Sequence, residues 1–365
     1  MKKLTALLLA LVLALTTLTA CSTEEPEGLF YDLTGLDPAA TMLRIEGRDV
    51  PVEMYLYWVL YVCDYVADSY ASTFVNEDGS LKWDEEVETG VTLRDYVLEE
   101  ALNTAKMYII VEKWAEDYGI TLNDEAEAAM QEELGIIAEQ LGGQEAFESY
   151  LAERGITPET NERMSRVFYL YANMLDLTKE EGSPLYIEDE VLYQYDGVTE
   201  DAVLADHILL FYPEDESERD ATRQSMEEIL EIIRSDEDPE EAFNFVADNY
   251  SEDTGRAYYP NGYLVTADSP YVQAFKDTAL SLEEYEISDV VESEYGYPII
   301  MRKPLRDYVA DLYLADLITV AMDNAEVEWT ELSEGFDVEA FYAAYQAHEA
   351  AVEEEAGNAA ADTDT

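Results

Sequence analysis

The segment Ala205-Asp206-His207-Ile208-Leu209 is the most informative part of the middle of this chain. It lies within an apolar run over residues 202–212, which predicts a β-strand. After it, the pattern predicts helices over 217–234, 240–249 and 271–280, and strands over 262–265, 287–291 and 298–302. A mixed block of roughly 100 residues has the size of a single domain.

Further motifs follow the strand in a fixed order. An aromatic helix and its loop cover residues 242–253, and Asn261-Gly262-Tyr263-Leu264 begins the next strand. The helix that contains Phe275 leads into 287–291, and Tyr295-Gly296-Tyr297-Pro298 precedes the last strand. Each motif alone is weak, so the information lies in their order and spacing.

In this order, residues 202–304 resemble the parvulin family of peptidyl-prolyl isomerases, also called rotamases. The resemblance implies an α+β domain with a small antiparallel sheet flanked by helices. It places His207 at the first active-site histidine of the family, Asp253 at a loop position that is Cys or Asp in relatives, and Tyr295 at a position that often carries a hydroxyl. These three residues are the expected catalytic groups.

The same resemblance implies an apolar pocket for the proline ring, formed by Leu264, Tyr271 and Phe275. Pro298 stands where the family has its second histidine, and proline has neither an imidazole nor a backbone N–H. Because rotation about a prolyl bond needs no net proton transfer, we expect weak isomerase activity. The alternative is an inactive parvulin-fold holdase that only binds unfolded or extended chains.

The first twenty residues have the pattern of a secretory signal peptide. Lys2 and Lys3 precede an apolar run over residues 4–15, which is shorter than the roughly 20 apolar residues of a transmembrane helix. Leu18-Thr19-Ala20-Cys21 resembles a bacterial lipobox, so we expect lipid on Cys21. The alternative is an ordinary secretory signal with a chance cysteine.

The whole layout resembles lipid-anchored extracytoplasmic foldases of the PrsA type. In this family a parvulin domain interrupts a helical chaperone domain built from both chain ends, and the clients are unfolded or newly secreted proteins. A solute-binding lipoprotein would share the anchor but need another fold. The expected division is a signal peptide 1–20, a tether 21–38, an N-terminal helical chaperone region 39–198, a parvulin-like domain 199–304, a C-terminal helical segment 305–345 that packs on the N-terminal region, and a disordered acidic tail 346–365.

Helical periodicity supports this division. Long amphipathic helices are predicted over 93–118, 124–141 and 305–324, and shorter ones over 146–154 and 159–177. Aromatic residues recur at helical spacing in the segment after Pro51: Tyr55, Trp58, Tyr61 and Tyr65. This stripe either packs against another helix or forms an aromatic surface for clients.

The net charge of −63 excludes nucleic acid as a partner, because phosphate binding needs a basic face. A loop of acidic residues over 214–220 disfavours phosphorylated substrates for the same reason. With only His207 and His348 in the chain, we expect no metal site and no cofactor. We expect only diffuse screening of this charge by divalent cations.

Overall fold

The computed structural model describes residues 26–259 and 261–363, so the predicted signal peptide and Cys21 lie outside the described residues. Its helices are α1 (Leu29–Thr34), α2 (Val52–Ser69), α3 (Ala71–Phe74), α4 (Leu93–Tyr118), α5 (Asp124–Leu141), α6 (Gln144–Glu153), α7 (Pro158–Lys179), α8 (Asp189–Leu192), α9 (Arg219–Ser235), α10 (Pro239–Tyr250), α11 (Gln273–Ser281), α12 (Leu305–Asn324) and α13 (Val338–Thr363). Its strands are β1 (Thr41–Ile45), β2 (Arg48–Pro51), β3 (Glu86–Glu88), β4 (Val91–Thr92), β5 (Val203–Phe211), β6 (Tyr263–Val265), β7 (Gly296–Lys303) and β8 (Val327–Trp329).

The described chain divides into two compact units. The first contains residues 26–109, 131–165 and 325–363 of the described chain, so both chain ends build it. The sequence predicts a helical region here, but the unit also contains a small sheet. In this sheet β1 pairs with β2 on one side and with β8 on the other. The sequence gives no sign of β8, whose three residues are too few to show a period.

A single large core holds the first unit together. Phe30 from α1, Tyr55 from α2 and Phe341 from α13 are buried in it. Within the aromatic stripe of α2, Tyr55 is buried, whereas Tyr61 and Tyr65 are exposed, so the expected client surface stays a prediction. The stripe is wider than the buried face of the helix, so part of it faces solvent.

The second unit contains residues 110–130 and 166–324. Its antiparallel sheet has the order β6-β5-β7, with β5 in the centre. Because side chains alternate along a strand, the sheet has two faces. We call the face bearing Ile208, Ile299 and Met301 the closed face, since α9 and α10 cover it. We call the other the open face, where α11 packs through Phe275 and Ala279.

The predicted strand at 287–291 is absent. Only an isolated bridge joins Ile287 to Met301. The hydroxyl of Ser288 accepts the N–H of Ile300 at 2.9 Å, while the N–H of Ser288 donates to the carbonyl of Ile300 at 2.8 Å. The side chain therefore replaces a main-chain partner, and a regular ladder does not form.

Helix α12 lies in the second unit, and its buried neighbours belong to the segment 39–198 on which the sequence predicts that 305–345 packs. Val309 and Ala310 are buried with Ile187, Leu192 and Val198. Leu312 on the same helix is exposed. The domain limits predicted from the sequence stay a prediction, since the units are not continuous in the chain.

The tail predicted to be disordered from residue 346 continues as helix α13 to Thr363. Alanine and glutamate have high helix propensity, and this explains the difference. Elsewhere α4, α5 and α12 begin and end at the predicted residues. The predicted α+β class, with a small antiparallel sheet flanked by helices, is confirmed.

Candidate active site

His207 lies at the middle of the central strand β5 and opposite Ile300 of β7. It follows the closed-face position Asp206 and precedes Ile208, so its side chain belongs to the open face. Only 12% of the side chain is exposed. The imidazole packs against the rings of Tyr263 and Phe275, with centroid distances of 5.4 and 5.1 Å.

The loop after α10 carries Asp253 to this histidine. The hydroxyl of Ser251 accepts the N–H of Leu209 at 3.1 Å, and the N–H of Glu252 donates to the carbonyl of Leu209 at 2.8 Å. These bonds fasten the loop to the edge of β5 beyond the end of the short strand β6. Asp253 then caps a 3₁₀ turn, accepting the N–H of Gly255 at 2.9 Å.

A polar wall results, formed by His207, Asp253 and Tyr263. His207 Nε2 lies 3.4 Å from Asp253 Oδ2, and the hydroxyl of Tyr263 donates to the same oxygen at 2.5 Å. Position 255 is tightly constrained, because a Cβ on Gly255 would collide with the hydroxyl of Tyr263. The loop and the strand β6 are therefore fitted to each other around one carboxylate.

Burial decides the charge of this wall. Desolvation lowers the pKa of the His207 imidazole, and the neighbouring Arg256 adds to this, while the carboxylates of Asp253 and Asp206 oppose it. Burial also raises the pKa of Tyr263, and its bond to Asp253 raises it further. At neutral pH the wall thus contains a neutral imidazole, a carboxylate and a phenol.

The neutral imidazole has one N–H, and its position follows from the contacts. Nε2 faces the carboxylate of Asp253, whereas the buried Nδ1 has no hydrogen-bond partner among the described residues. We assign the proton to Nε2, where it faces an acceptor. His207 can then offer a donor only on the side of Asp253.

An ion pair supports the loop from the closed face. Asp206 is fully buried and binds the guanidinium of Arg256, which lies in the 3₁₀ turn just after Asp253. The same guanidinium binds Asp248 at 2.5 Å. Asp206 also accepts the N–H of His207 at 2.7 Å. One buried carboxylate therefore connects the strand that bears the histidine with the turn that follows the aspartate.

The polar wall closes one end of an open-face cleft of about 440 Å³, which we call the aromatic cleft. Most of its lining is apolar or aromatic. The lining residues are His207, Leu209, Phe211, Asp253, Tyr263, Pro270, Tyr271, Val272, Phe275, Ser293, Tyr295 and Pro298. Such a cleft can hold a five-membered ring against aromatic faces while leaving its ends open to solvent.

The structure brings together five of the six predicted catalytic and pocket residues. They are His207, Asp253, Tyr271, Phe275 and Tyr295. Leu264 is the exception, since it packs near Val198 in another cluster of the second unit. The prediction of Leu264 in the pocket is wrong by one residue, because side chains alternate along β6 and Tyr263 faces the cleft instead.

Tyr263 is the residue that the sequence interpretation missed. Its partner across the sheet, Ala205, is two residues before His207 and therefore on the same face. A pairing of β6 with β5 in this register would have identified it, but register is not readable from a three-residue strand. Arg256 was missed as well, because nothing near it in sequence indicates its partner Asp206.

Pro298 lies on the cleft side of β7, opposite Leu209. Leu209 directs its N–H to Ser251 rather than to β7, so this pair lies at a position without ladder hydrogen bonds. A proline costs no inter-strand bond there. Histidine at this position would point into the same cleft.

No group of three or more metal-ligating side chains is arranged to hold an ion in the described part of the chain. Within residues 26–259 and 261–363, no helix has the length and apolar character needed to cross a bilayer.

Residues 207–303 match the family of PPIC-type PPIase domains, the rotamases. The middle of the chain thus matches the parvulin type of peptidyl-prolyl isomerase domain, the family that its motifs predict. The chain is similar to Foldase protein PrsA of Staphylococcus aureus, with 25% identity to the protein of strain bovine RF122 / ET3-1 and 24% to that of strain Newman. Each match covers 53% of this chain and 57% of the relative, so the chain spans about half the length of the curated relatives it matches.

Among solved structures, PrsA from Bacillus subtilis matches 70% of this chain and 84% of its own, with 18% identity and a TM-score of 0.27. PrsA from Streptococcus pneumoniae matches 73% and 93%, with 19% identity and a TM-score of 0.22.

Proposed function

We propose that this chain is an extracytoplasmic foldase whose middle domain isomerises X-Pro bonds in unfolded or newly secreted proteins. The observation that carries the proposal is the aromatic cleft, in which a neutral His207 and the carboxylate of Asp253 lie beside the rings of Tyr263 and Phe275. The similarity to PrsA foldases supports it.

Isomerisation of an X-Pro bond requires selective binding of the twisted amide and no net proton transfer. Amide resonance sets a rotation barrier of about 18–20 kcal/mol, and a catalyst lowers it by binding the twisted amide better than the planar one. A water-poor cleft favours the twisted amide, because loss of resonance reduces its charge separation. The proline ring of the client would lie against Tyr271 and Phe275. Tyr295 is exposed, and the client peptide would leave the cleft beside it.

The test is a peptidyl-prolyl isomerase assay on the full chain, with a proline tetrapeptide as substrate. We expect a rate above background that His207→Ala lowers by about tenfold, since one hydrogen-bonding group is worth about 0.5–1.5 kcal/mol. The matched control is His348→Ala, the other histidine of the chain, which is exposed on α13 and should not change the rate.

A second candidate function is the holdase, and Pro298 favours it because a polar group of the family is missing from the cleft. Pro298→His separates the two. A rate increase supports the isomerase, because the strand has no ladder bond to lose at this position. If neither the natural chain nor Pro298→His exceeds background, the cleft only grips client chains and the holdase is correct.

We also propose that lipid on Cys21 anchors the chain to the outer face of a bacterial membrane. The support is the sequence pattern of residues 1–21. Metabolic labelling with a fatty acid should mark the natural chain, whereas Cys21→Ser should carry no label. Label on Cys21→Ser would show that the lipobox interpretation is wrong.

A further inference from the structure

A second groove lies on the outer surface of α9 and α10, and we call it the back groove. Its volume is about 710 Å³, in the range of pockets that bind ligands. Ile229, Ala242 and Val246 form its floor, and these residues are partly buried because they also pack on the core of the closed face. The core of the closed face therefore holds the floor of the groove in place.

Large apolar side chains stand around this floor in solvent. Ile232, Phe245 and Tyr250 line the groove and are 63%, 60% and 61% exposed. The rings of Phe245 and Tyr250 lie 6.4 Å apart, centre to centre. Single exposed apolar residues are common on soluble proteins, but three around one depression mark an interaction surface.

The remaining lining residues of the back groove are acidic. Asp236 and Glu241 are exposed, and neither carboxylate pairs with a Lys or Arg in the described part of the chain. Arg234, the basic residue nearest in sequence, binds Asp289 at 2.9 Å and the carbonyl of Ile287 at 2.8 Å. The groove thus combines an apolar floor with an uncompensated negative edge.

We propose that the back groove binds a basic amphipathic helix of a polypeptide partner. The two walls are helices whose main-chain groups are bonded internally, so they offer apolar side chains and no free strand edge. An extended peptide would leave its own N–H and C=O groups unpaired there, whereas a helix satisfies its own. Lysine or arginine beside the apolar face of that helix would meet Asp236 and Glu241.

The negative charge of the back groove also disfavours two other occupants of the groove. A second copy of the chain would bring a further −63 and another acidic edge to the same surface. An anionic membrane surface would be repelled by the same carboxylates. The proposal goes beyond isomerisation, since no residue of the back groove lines the aromatic cleft.

The probe is a synthetic helical peptide of about 18 residues with Leu and Phe on one face and Lys on the other. Its fluorescence anisotropy is titrated with the full chain. We expect Ile232→Ser/Phe245→Ser to weaken binding by about tenfold or more, as truncation of apolar anchors does. The matched control is Val320→Ser/Phe168→Ser, which removes two equally exposed apolar side chains of the second unit and should leave binding unchanged.

The charge variant Asp236→Asn/Glu241→Gln tests the acidic edge without touching the apolar floor. It should weaken binding several-fold and flatten the salt dependence. Both groove variants should keep the urea denaturation curve of the natural chain, which shows that they fold, and any isomerase activity on a tetrapeptide should stay the same.

Equal binding of the peptide by wild type and Ile232→Ser/Phe245→Ser would overturn the proposal, as would equal binding of a peptide with Glu in place of Lys. Self-association of the chain that the groove variant abolishes would assign the groove to a second copy. Groove-dependent binding to anionic vesicles would assign it to a membrane.

Discussion

The two faces of the β6-β5-β7 sheet each contain a carboxylate that needs a partner, and they provide it differently. On the closed face, Asp206 is fully buried and binds the guanidinium of Arg256. On the open face, Asp253 faces His207 at 3.4 Å and accepts a hydrogen bond from Tyr263. The closed-face pair has a cation that stays protonated at all ordinary pH values, whereas the open-face pair has an imidazole whose pKa is lowered.

Asp206, which contributes to stability, and His207, which lies in the proposed active site, are therefore neighbours in β5. The closed-face pair is an ion pair that stays fixed, and its loss leaves a charge inside the core. The open-face wall contains neutral donors around one carboxylate, and the proposed function requires these groups to exchange partners with a prolyl amide. Neighbouring side chains of one strand therefore serve opposite purposes because they point to opposite faces.

The largest expected effect is on the closed face. Arg256→Met should lower the free energy of unfolding by about 3–5 kcal/mol, because it leaves Asp206 buried and unpaired. Urea denaturation measures this. The double variant Asp206→Asn/Arg256→Met should recover most of the loss, since Asn keeps an acceptor for the N–H of His207 without the charge. A double variant as unstable as the single one would contradict the comparison.

The open face should respond in activity rather than in stability. Asp253→Asn removes the negative charge 3.4 Å from His207 Nε2 and weakens the hydrogen bond from Tyr263, since charge-assisted hydrogen bonds are about twice as strong as neutral ones. We expect kcat/KM for the tetrapeptide to fall about tenfold, equivalent to about 1.4 kcal/mol. The free energy of unfolding should change by less than about 1 kcal/mol, because Asn can still cap the turn. Unchanged kcat/KM, or a stability loss as large as that of Arg256→Met, would remove the distinction.

The pH dependence of stability sharpens the comparison further. Burial lowers the pKa of His207, against the opposing carboxylates of Asp253 and Asp206 and with the help of Arg256. The unfolded chain therefore binds more protons than the folded chain just below about pH 6.5. Stability from this group is present above that pH and is lost as the pH falls. Denaturation of the natural chain and His207→Gln between pH 5 and 8 should show the difference, and parallel curves would contradict it.

The first unit should show the opposite sign. Burial raises the pKa of Asp64 to about 6, although the hydroxyl of Tyr342 donates to its carboxylate at 3.1 Å and opposes the shift. The folded chain then binds more protons than the unfolded chain from about pH 4 to pH 6, so this contribution to stability falls as the pH rises. Asp64→Asn should remove it. The same slope in both proteins would show that Asp64 does not titrate as described.

The smallest effect should be common to both units. The net charge of −63 means that the excess carboxylates of the folded chain repel one another. Sodium or calcium chloride should screen this repulsion and raise the melting temperature gradually. Calorimetry across a salt series tests this. Sharp saturation at one calcium ion per chain would indicate a specific site instead.

Much of the fold follows from local patterns in the sequence. Helices α4, α5 and α12 are long and strongly periodic, and their predicted limits agree with the structure. The ordered motifs around His207 and Asp253 predict the family, and five of the six expected site residues line the aromatic cleft. Strand β8 is not predicted, because three residues are too few to show a period. The strand predicted at 287–291 does not form, because the Ser288 hydroxyl replaces a main-chain partner there.

The class of the middle domain and the strand that bears His207 can be predicted from the sequence, because periodicity and motif order are local properties of the chain. The side chains that face this histidine depend on how distant segments of the chain pack together. Register between β5 and β6 places Tyr263 rather than Leu264 in the aromatic cleft. The pair of Asp206 and Arg256 joins residues 50 positions apart, and the exposed back groove appears only where α9 packs beside α10. Pairing register and burial depend on packing between distant segments, which no local pattern records.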